Sequence, residues 1–341
     1  MKLFESGSIK NLSLRNRFVM PPMCTYQVPL HDGKATSFHH AHYVAPAIGG
    51  AALVIIEATA VSPEGRISDK DLGLWNDDQI PGLSDLVKAI HLAGAKAALQ
   101  LGHAGRKCKA SDGVSEILAP SPLAFDDSYR TPREMDGADM ERVIDEFRQA
   151  ARRADAAGVD ALEIHAAHGY LINQFISPVT NARIDRFKDP SLFLTSVLGA
   201  IHEVWPEHKA VWVRISATDY SPKGYGVPLM ITILDRVRSM IDAVHVSSGG
   251  VVPTDFPVYP GYQVSFAKEI RQATGLPTIA VGMLSCPDLG EFVLQSGSAD
   301  YIAVGRGLLR NPNWLLEAAL AHQKEFFSHL PVYLQRGFPL Q

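Results

Sequence analysis

The segment 163–170, Glu-Ile-His-Ala-Ala-His-Gly-Tyr, sets the imidazoles of His165 and His168 close to the phenol of Tyr170. Such a pair can ligate a metal. It can also donate hydrogen bonds to a carbonyl or phenolate oxygen while negative charge develops there, with Tyr170 supplying a proton. The metal reading wants a third protein ligand and usually a carboxylate base. No His-Glu-x-x-His motif or Cys/His cluster accompanies the pair, which favours donors over a metal site, and so polar a segment speaks against a purely structural role. Two later segments suit an anion: Val-Gly-Met at 281–283 and Val-Gly-Arg-Gly at 304–307. Glycine lets backbone N–H groups approach a phosphate, and Arg306 adds a charged fork. Their bland alternative is a pair of turn glycines and a surface arginine. Arg214 ends a buried apolar run, where a guanidinium is costly without an anion. A reduced flavin, negative around N1 and O2, would supply one, and Gln100 could hydrogen-bond the same pyrimidine edge. Neither residue by itself names flavin.

What must position these residues is a series of short β-branched runs, each followed by a stretch of helical period: 53–56, 96–101, 161–165, 210–215, 243–247, 278–281 and 301–304, with 17–20 as an eighth. Strands alternating with helices make a parallel α/β sheet. Eight units without a linker or composition break predict a closed (β/α)₈ TIM barrel, one domain over 1–341, rather than an open doubly wound sheet. Barrel sites form at the C-terminal strand ends. There the runs deliver Cys24, Glu57 with Ala58, Gln100 with His103, His165 with His168, Arg214, Ser247 with Ser248, Gly282, and Gly305 with Arg306. Before the fourth run, Asp136 predicts a helix N-cap, Val143, Phe147, Ala150, Ala151 and Ala154 one apolar stripe, and Gly158 the end. The stretch 105–132, rich in Pro, Ser, Asp and Gly, exceeds an ordinary βα connection and predicts a capping loop after the third strand.

Composition excludes other classes. With 46% hydrophobic and 20% charged residues in 341, the chain can build a large core and is not disordered. A net charge of −4 gives no basic surplus for nucleic acid. The N-terminal residues 1–9 carry charge, and the longest apolar run, 51–56, stops at Glu57; a soluble cytoplasmic protein with no membrane segment is expected. Cys24, Cys108 and Cys286 are odd in number and widely spaced, which predicts a reducing compartment, no disulfide framework and no metal.

Several motifs stand in a telling order: Pro-Pro-Met-Cys-Thr-Tyr (21–26), Gln-Leu-Gly-His-Ala-Gly-Arg-Lys (100–107), Ala-Pro-Ser-Pro (119–122), His-Ala-Ala-His-Gly-Tyr, Val-Arg-Ile-Ser-Ala-x-Asp-Tyr (213–220), Ser-Ser-Gly (247–249), Pro-Gly-Tyr-Gln-Val-Ser-Phe-Ala (260–267) and Val-Gly-Arg. Together they resemble the Old Yellow Enzyme family, specifically its bacterial thermophilic-like subclass of NADPH dehydrogenases, over almost the whole chain. The resemblance implies bound FMN and NADPH as co-substrate. It implies that Pro21, Pro22, Met23, Cys24, Ala58, Gln100, Arg214, Ser248, Gly249, Gly282, Gly305 and Arg306 contact FMN, with Cys24 tuning its potential; taken alone, Cys24 is an inert buried thiol. His165 and His168 would bind the substrate oxygen, Tyr26 would line the pocket, and Tyr170 would donate the proton. The implied cycle is ping-pong: hydride passes from NADPH to flavin N5, then to Cβ of an enone, enal, nitroalkene or quinone-like acceptor, and a proton reaches Cα. Arg336, in Gln-Arg-Gly-Phe, matches an arginine inserted into a neighbouring subunit's site, implying a homodimer or homotetramer whose tail, 323–341, reaches across.

The pattern breaks in three places. After Arg183 and Asp185 the family shows Tyr-Gly-Gly-Ser-x-x-Asn-Arg, whereas this chain reads Arg-Phe-Lys-Asp-Pro-Ser (186–191) and is shorter; Met240, Ile241 and Asp242 replace a glycine-containing turn; and Leu334 stands where an aromatic residue is usual. A rebuilt loop beside the fourth strand is expected. Alternatives are a non-catalytic flavin-binding module, a related barrel flavoprotein such as a dienoyl reductase, which would carry a cysteine cluster and further domains, and a metal-dependent barrel hydrolase.

Overall fold

The computed structural model describes residues 1–322 and Arg336. Eight parallel strands close into a barrel: β1 (Phe18–Met20), β2 (Leu53–Ala60), β3 (Lys96–Gly102), β4 (Ala161–Ala166), β5 (Ala210–Ser216), β6 (Ala243–Ser247), β7 (Thr278–Val281) and β8 (Tyr301–Ala303). Each pairs with its sequence neighbour and β8 returns to β1. The outer layer consists of α1 (Ser37–Ile48), α2 (Ile80–Leu92), α3 (Gly137–Ala156), α4 (Leu192–His202), α5 (Val227–Val237), α6 (Val264–Thr274), α7 (Pro287–Gln295) and α8 (Trp314–His322). Among the described residues, no helix is long and apolar enough to cross a membrane.

Side chains alternate in or out along a strand, so residues two apart share a face. On the inner face, Ala98, Ala161, Trp212 and Ala243 belong to a buried apolar cluster with Ile9, Leu12 and Leu14 of an N-terminal hairpin (Gly7–Ile9 against Leu12–Leu14). Two residues further along the same strands the inner face turns polar: Gln100, Glu163, Arg214 and His245, all buried. The barrel is therefore apolar at the hairpin end and charged at the other. Outward residues such as Ile56, Leu99, Ile164 and Val213 pack with the helices.

Helix α3 forms as its sequence predicts. The Asp136 carboxylate accepts the Asp139 N–H at 2.9 Å and the Asp139 carboxylate accepts the Asp136 N–H at 3.0 Å, while Val143, Phe147, Ala150, Ala151 and Ala154 are fully buried. Strand β2 runs past the expected stop at Glu57 to Ala60, with a register shift against β3 between Ile56 and Thr59. The connection 105–132 contributes a short 3₁₀ turn, Gly105–Lys107, and one arm of a parallel pair, Leu118–Ala119 with Arg133–Glu134.

The contracted loop is well built. The Asp185 carboxylate caps the turn Arg186–Lys188, and Phe187 packs against Phe175 and Phe193 at ring-centroid distances of 6.2 and 6.3 Å. Buried Arg183 donates to the carbonyls of Pro120 and Met135 at 3.2 and 2.7 Å, fastening this loop to the capping region.

Candidate active site

Segments that are far apart in sequence meet at the charged end of the barrel. Pro21, Pro22, Met23, Arg214, Gly282, Gly305 and Arg306 surround one cavity of about 260 Å³ at the ends of β1, β5, β7 and β8. The residue reading missed Gln263, Tyr262 and Arg310, which also line it. For Arg310 a signal existed: it lies four residues after Arg306 in the helix Arg306–Arg310, and such residues share a helix face.

Arg214 dominates the inner end of this cavity. It is 8% exposed. Its Nη1 lies 3.5 Å from the Pro22 carbonyl, and Nε is buried without a hydrogen-bond partner among the described residues. A buried, poorly satisfied guanidinium suits an anionic or strongly accepting ligand atom.

The histidines and Tyr170 stand beside it. The rings of His165 and His168 meet edge to face at 5.2 Å, and those of His165 and Tyr170 at 4.8 Å. Burial first, and then the neighbouring Arg214 charge, push His165 down to about 3 and His168 well below its ordinary value. Both imidazoles are neutral at neutral pH. His165 Nδ1 accepts the Ala167 N–H at 3.3 Å, so Nε2 carries the proton. His168 Nε2 is engaged by Ser247 Oγ at 2.7 Å, leaving Nδ1 for a ligand. Burial raises Tyr170 well above a usual phenol, with Cys24 and Tyr26 adding to the effect.

The loops after β4 and β6 interlock behind the histidines. A Cβ on Gly169 would lie 2.2 Å from the Gly250 carbonyl oxygen, and one on Gly250, at φ +93°, 2.7 Å from the His168 Cα. Only glycines allow so close an approach. The Lys107 ammonium donates to the carbonyls of His168 and Gly250 at 3.0 and 3.2 Å, tying both loops to the capping region.

Cys24 is positioned by Glu57. The Glu57 carboxylate accepts from the Thr25 N–H at 2.6 Å, the Thr25 hydroxyl at 2.7 Å and Tyr43 of α1 at 3.1 Å. The Cys24 sulfur meets the Ala58 N–H and the Tyr26 hydroxyl, and burial, with Asp71 and Glu57 nearby, raises its pKa so that it remains a thiol. Ala58 borders a small void shared with Asp71, His103, His165 and Tyr170. Tyr26, 43% exposed, and Tyr170 line a wider mouth of about 670 Å³ with Lys107 and Tyr129.

Ser248 and Gly249 lie outside these cavities. Ser248 donates to Gln263 Oε1 at 2.6 Å, and the Gly249 carbonyl accepts from Ser216. Ser247 lines the cavity instead, because it shares the inward parity of His245 on β6. Arg336 is exposed in a turn, and the rest of 323–341 lies outside the described residues. Among the described residues, no group of three or more His, Cys, Asp and Glu could hold a metal ion.

Residues 2–325 match the NADH:flavin oxidoreductase / NADH oxidase family. The chain is 46% identical over 324 residues to an NADPH dehydrogenase of Clostridium acetobutylicum, covering 94% of this chain and 95% of that protein. It is 46% identical over 343 residues to an NADPH dehydrogenase of Geobacillus thermodenitrificans, covering 98% of each. Its fold is similar to that of morphinone reductase in complex with tetrahydroNAD, with a TM-score of 0.82 at 27% identity over 94% of this chain and 91% of that one. It also resembles 2-naphthoyl-CoA reductase in fold, with a TM-score of 0.89 at 22% identity, where the chain spans 53% of that protein.

Proposed function

The chain belongs to the NADH:flavin oxidoreductase / NADH oxidase family, the Old Yellow Enzymes, and on that footing we propose that it oxidises NADPH and reduces the activated C=C bond of α,β-unsaturated carbonyl compounds. Enones and enals are the main class, with nitroalkenes and quinones as further acceptors. FMN, when bound, would supply the hydride-transfer chemistry that couples the nicotinamide to the alkene.

The residues present fit that cofactor. Gly282, Gly305 and Arg306 would hold its phosphate end, with Arg310 beside them. Pro21, Pro22, Met23, Cys24 and Ala58 would line the ring, while Arg214 and Gln100 would meet its pyrimidine edge. The orphaned Arg214 Nε, in particular, asks for such an acceptor.

One observation supports the alkene chemistry: two neutral imidazoles and a protonated phenol converge beside Arg214. His165 Nε2–H and His168 Nδ1 face the role of holding a substrate oxygen. Neutral donors stabilise charge that develops on that oxygen during reduction, and fixed by the interlocked loops they need little reorganisation to do so. Tyr170 keeps its proton until a carbanion-like Cα draws it away. Tyr26 would close the pocket from the mouth side. Arg336 would enter a neighbouring subunit's pocket, making the active form a homo-oligomer; a raised enone KM in R336A, with unchanged flavin reduction by NADPH, checks this.

The test follows both half-reactions anaerobically. NADPH is expected to bleach the bound flavin and 2-cyclohexenone to restore its colour. His165→Ala should slow the second step about a hundredfold, on the scale of losing one oxyanion donor, and Tyr170→Phe should slow it by a comparable factor, while the first step persists. A flavin that bleaches but never reoxidises with alkenes would overturn the proposal in favour of a flavin-binding module.

A further inference from the structure

Beneath Arg214 lies a buried anion that the chemistry above does not use. Glu163 is 0% exposed. Its Oε1 accepts from Gln100 Nε2 at 2.7 Å, and its Oε2 accepts from both Trp212 Nε1 and His245 Nδ1 at 2.7 Å. Burial opposes the charge, but His245, Arg214 and Trp212 hold the carboxyl down to about 2. The strand register builds this group: Gln100, Glu163 and Trp212 stand opposite one another across β3, β4 and β5.

An ionised carboxylate only accepts hydrogen bonds. The Gln100 amide must therefore turn its NH₂ group toward Glu163, and the atom left over for a ligand is Oε1, an acceptor. We propose that Glu163 is a positioning residue that fixes the orientation of the Gln100 amide, so that the site presents an acceptor from Gln100 next to the donors of Arg214. That pattern selects a ring edge with a donor N–H flanked by carbonyls, as in the flavin pyrimidine, and rejects an edge with acceptors only.

Glu163→Gln provides a sharp test, because it should reverse the pattern while keeping the volume. The single amide oxygen of a glutamine there would take the place of Oε2, where two N–H donors converge. Its NH₂ would then face Gln100 and force that amide to turn over, offering a donor to the flavin N3–H. Apoprotein of E163Q should bind FMN about ten- to a hundredfold more weakly, the scale of one mispaired buried polar group. The N3–H proton of bound ¹⁵N-labelled FMN, shifted downfield in the native protein, should move upfield. E163D, which keeps an acceptor-only group, should retain the downfield signal. Unchanged affinity, or weakened affinity with an unmoved N3–H signal, overturns the assignment, since the latter is what a merely structural role produces. If E163Q does not fold, Glu163→Ala decides: with no acceptor to hold its NH₂ group the Gln100 amide is free to turn, so the downfield signal should be lost, and an unmoved signal overturns the assignment.

Discussion

His165 is useful for what burial prevents. Held down to about 3 rather than the ordinary 6.5, it stays a neutral donor across the physiological range, and its donating nitrogen is set by the Ala167 N–H that occupies the other one. The enone-dependent reoxidation rate should therefore show no acidic limb centred near 6.5, which stopped-flow measurements between about pH 5 and pH 8 can check; a limb there would mean that the imidazole titrates in the site. The sequence made His165, His168 and Tyr170 visible because they crowd one segment. It could not reveal Ser247 as the partner of His168, because that contact joins β6 to the loop after β4.

At the scale of elements, strands deliver and loops aim. The parity of β4, β5 and β6 puts Glu163, Arg214 and His245 on the inner face, and one residue of parity separates Ser247, which lines the cavity, from Ser248, which lies behind it. The interlocked loops then fix His168, itself at a positive φ of 58°. Gly250→Ala would drive a methyl group into the His168 backbone at a φ disfavoured for other residues. Its expected effect is a loss of about tenfold or more in the enone half-reaction, for a strain of roughly 1–3 kcal/mol, with FMN affinity largely kept because the phosphate end lies on β7 and β8. Comparing cofactor titration with reoxidation kinetics separates the two.

For the whole molecule, buried ionisable groups set how stability varies with pH. His165 is depressed to about 3 from 6.5 and Glu163 to about 2 from 4.5. The stability each contributes is present above its unfolded value and is lost as pH falls toward its folded one. Glu146 of α3 has the opposite sign. Burial, and then Glu64, raise it to about 7, so its contribution is present below about 4.5 and is lost as pH rises through 7. Glu146→Gln should raise the Tm at pH 8 and leave it nearly unchanged at pH 4.5, while both proteins lose Tm below about pH 6; thermal scans across that range check both statements.

Much of this was settled by the sequence alone, because it depends on local order. Alternating β-branched and helical periods specify a (β/α)₈ chain, Asp136 and one apolar stripe specify α3, and the residues closing each run fall at the barrel mouth, since each strand enters in the same direction. Tertiary structure decided the rest. Strand register placed Gln100, Glu163 and Trp212 side by side, closure of the barrel brought Pro22 to Arg214, burial chose the neutral states of His165 and His168, and the neighbours His245, Arg214 and Trp212 kept Glu163 ionised against its burial. Those outcomes depend on distance and dielectric across strands far apart in the chain, which no spacing of residue types along one segment encodes.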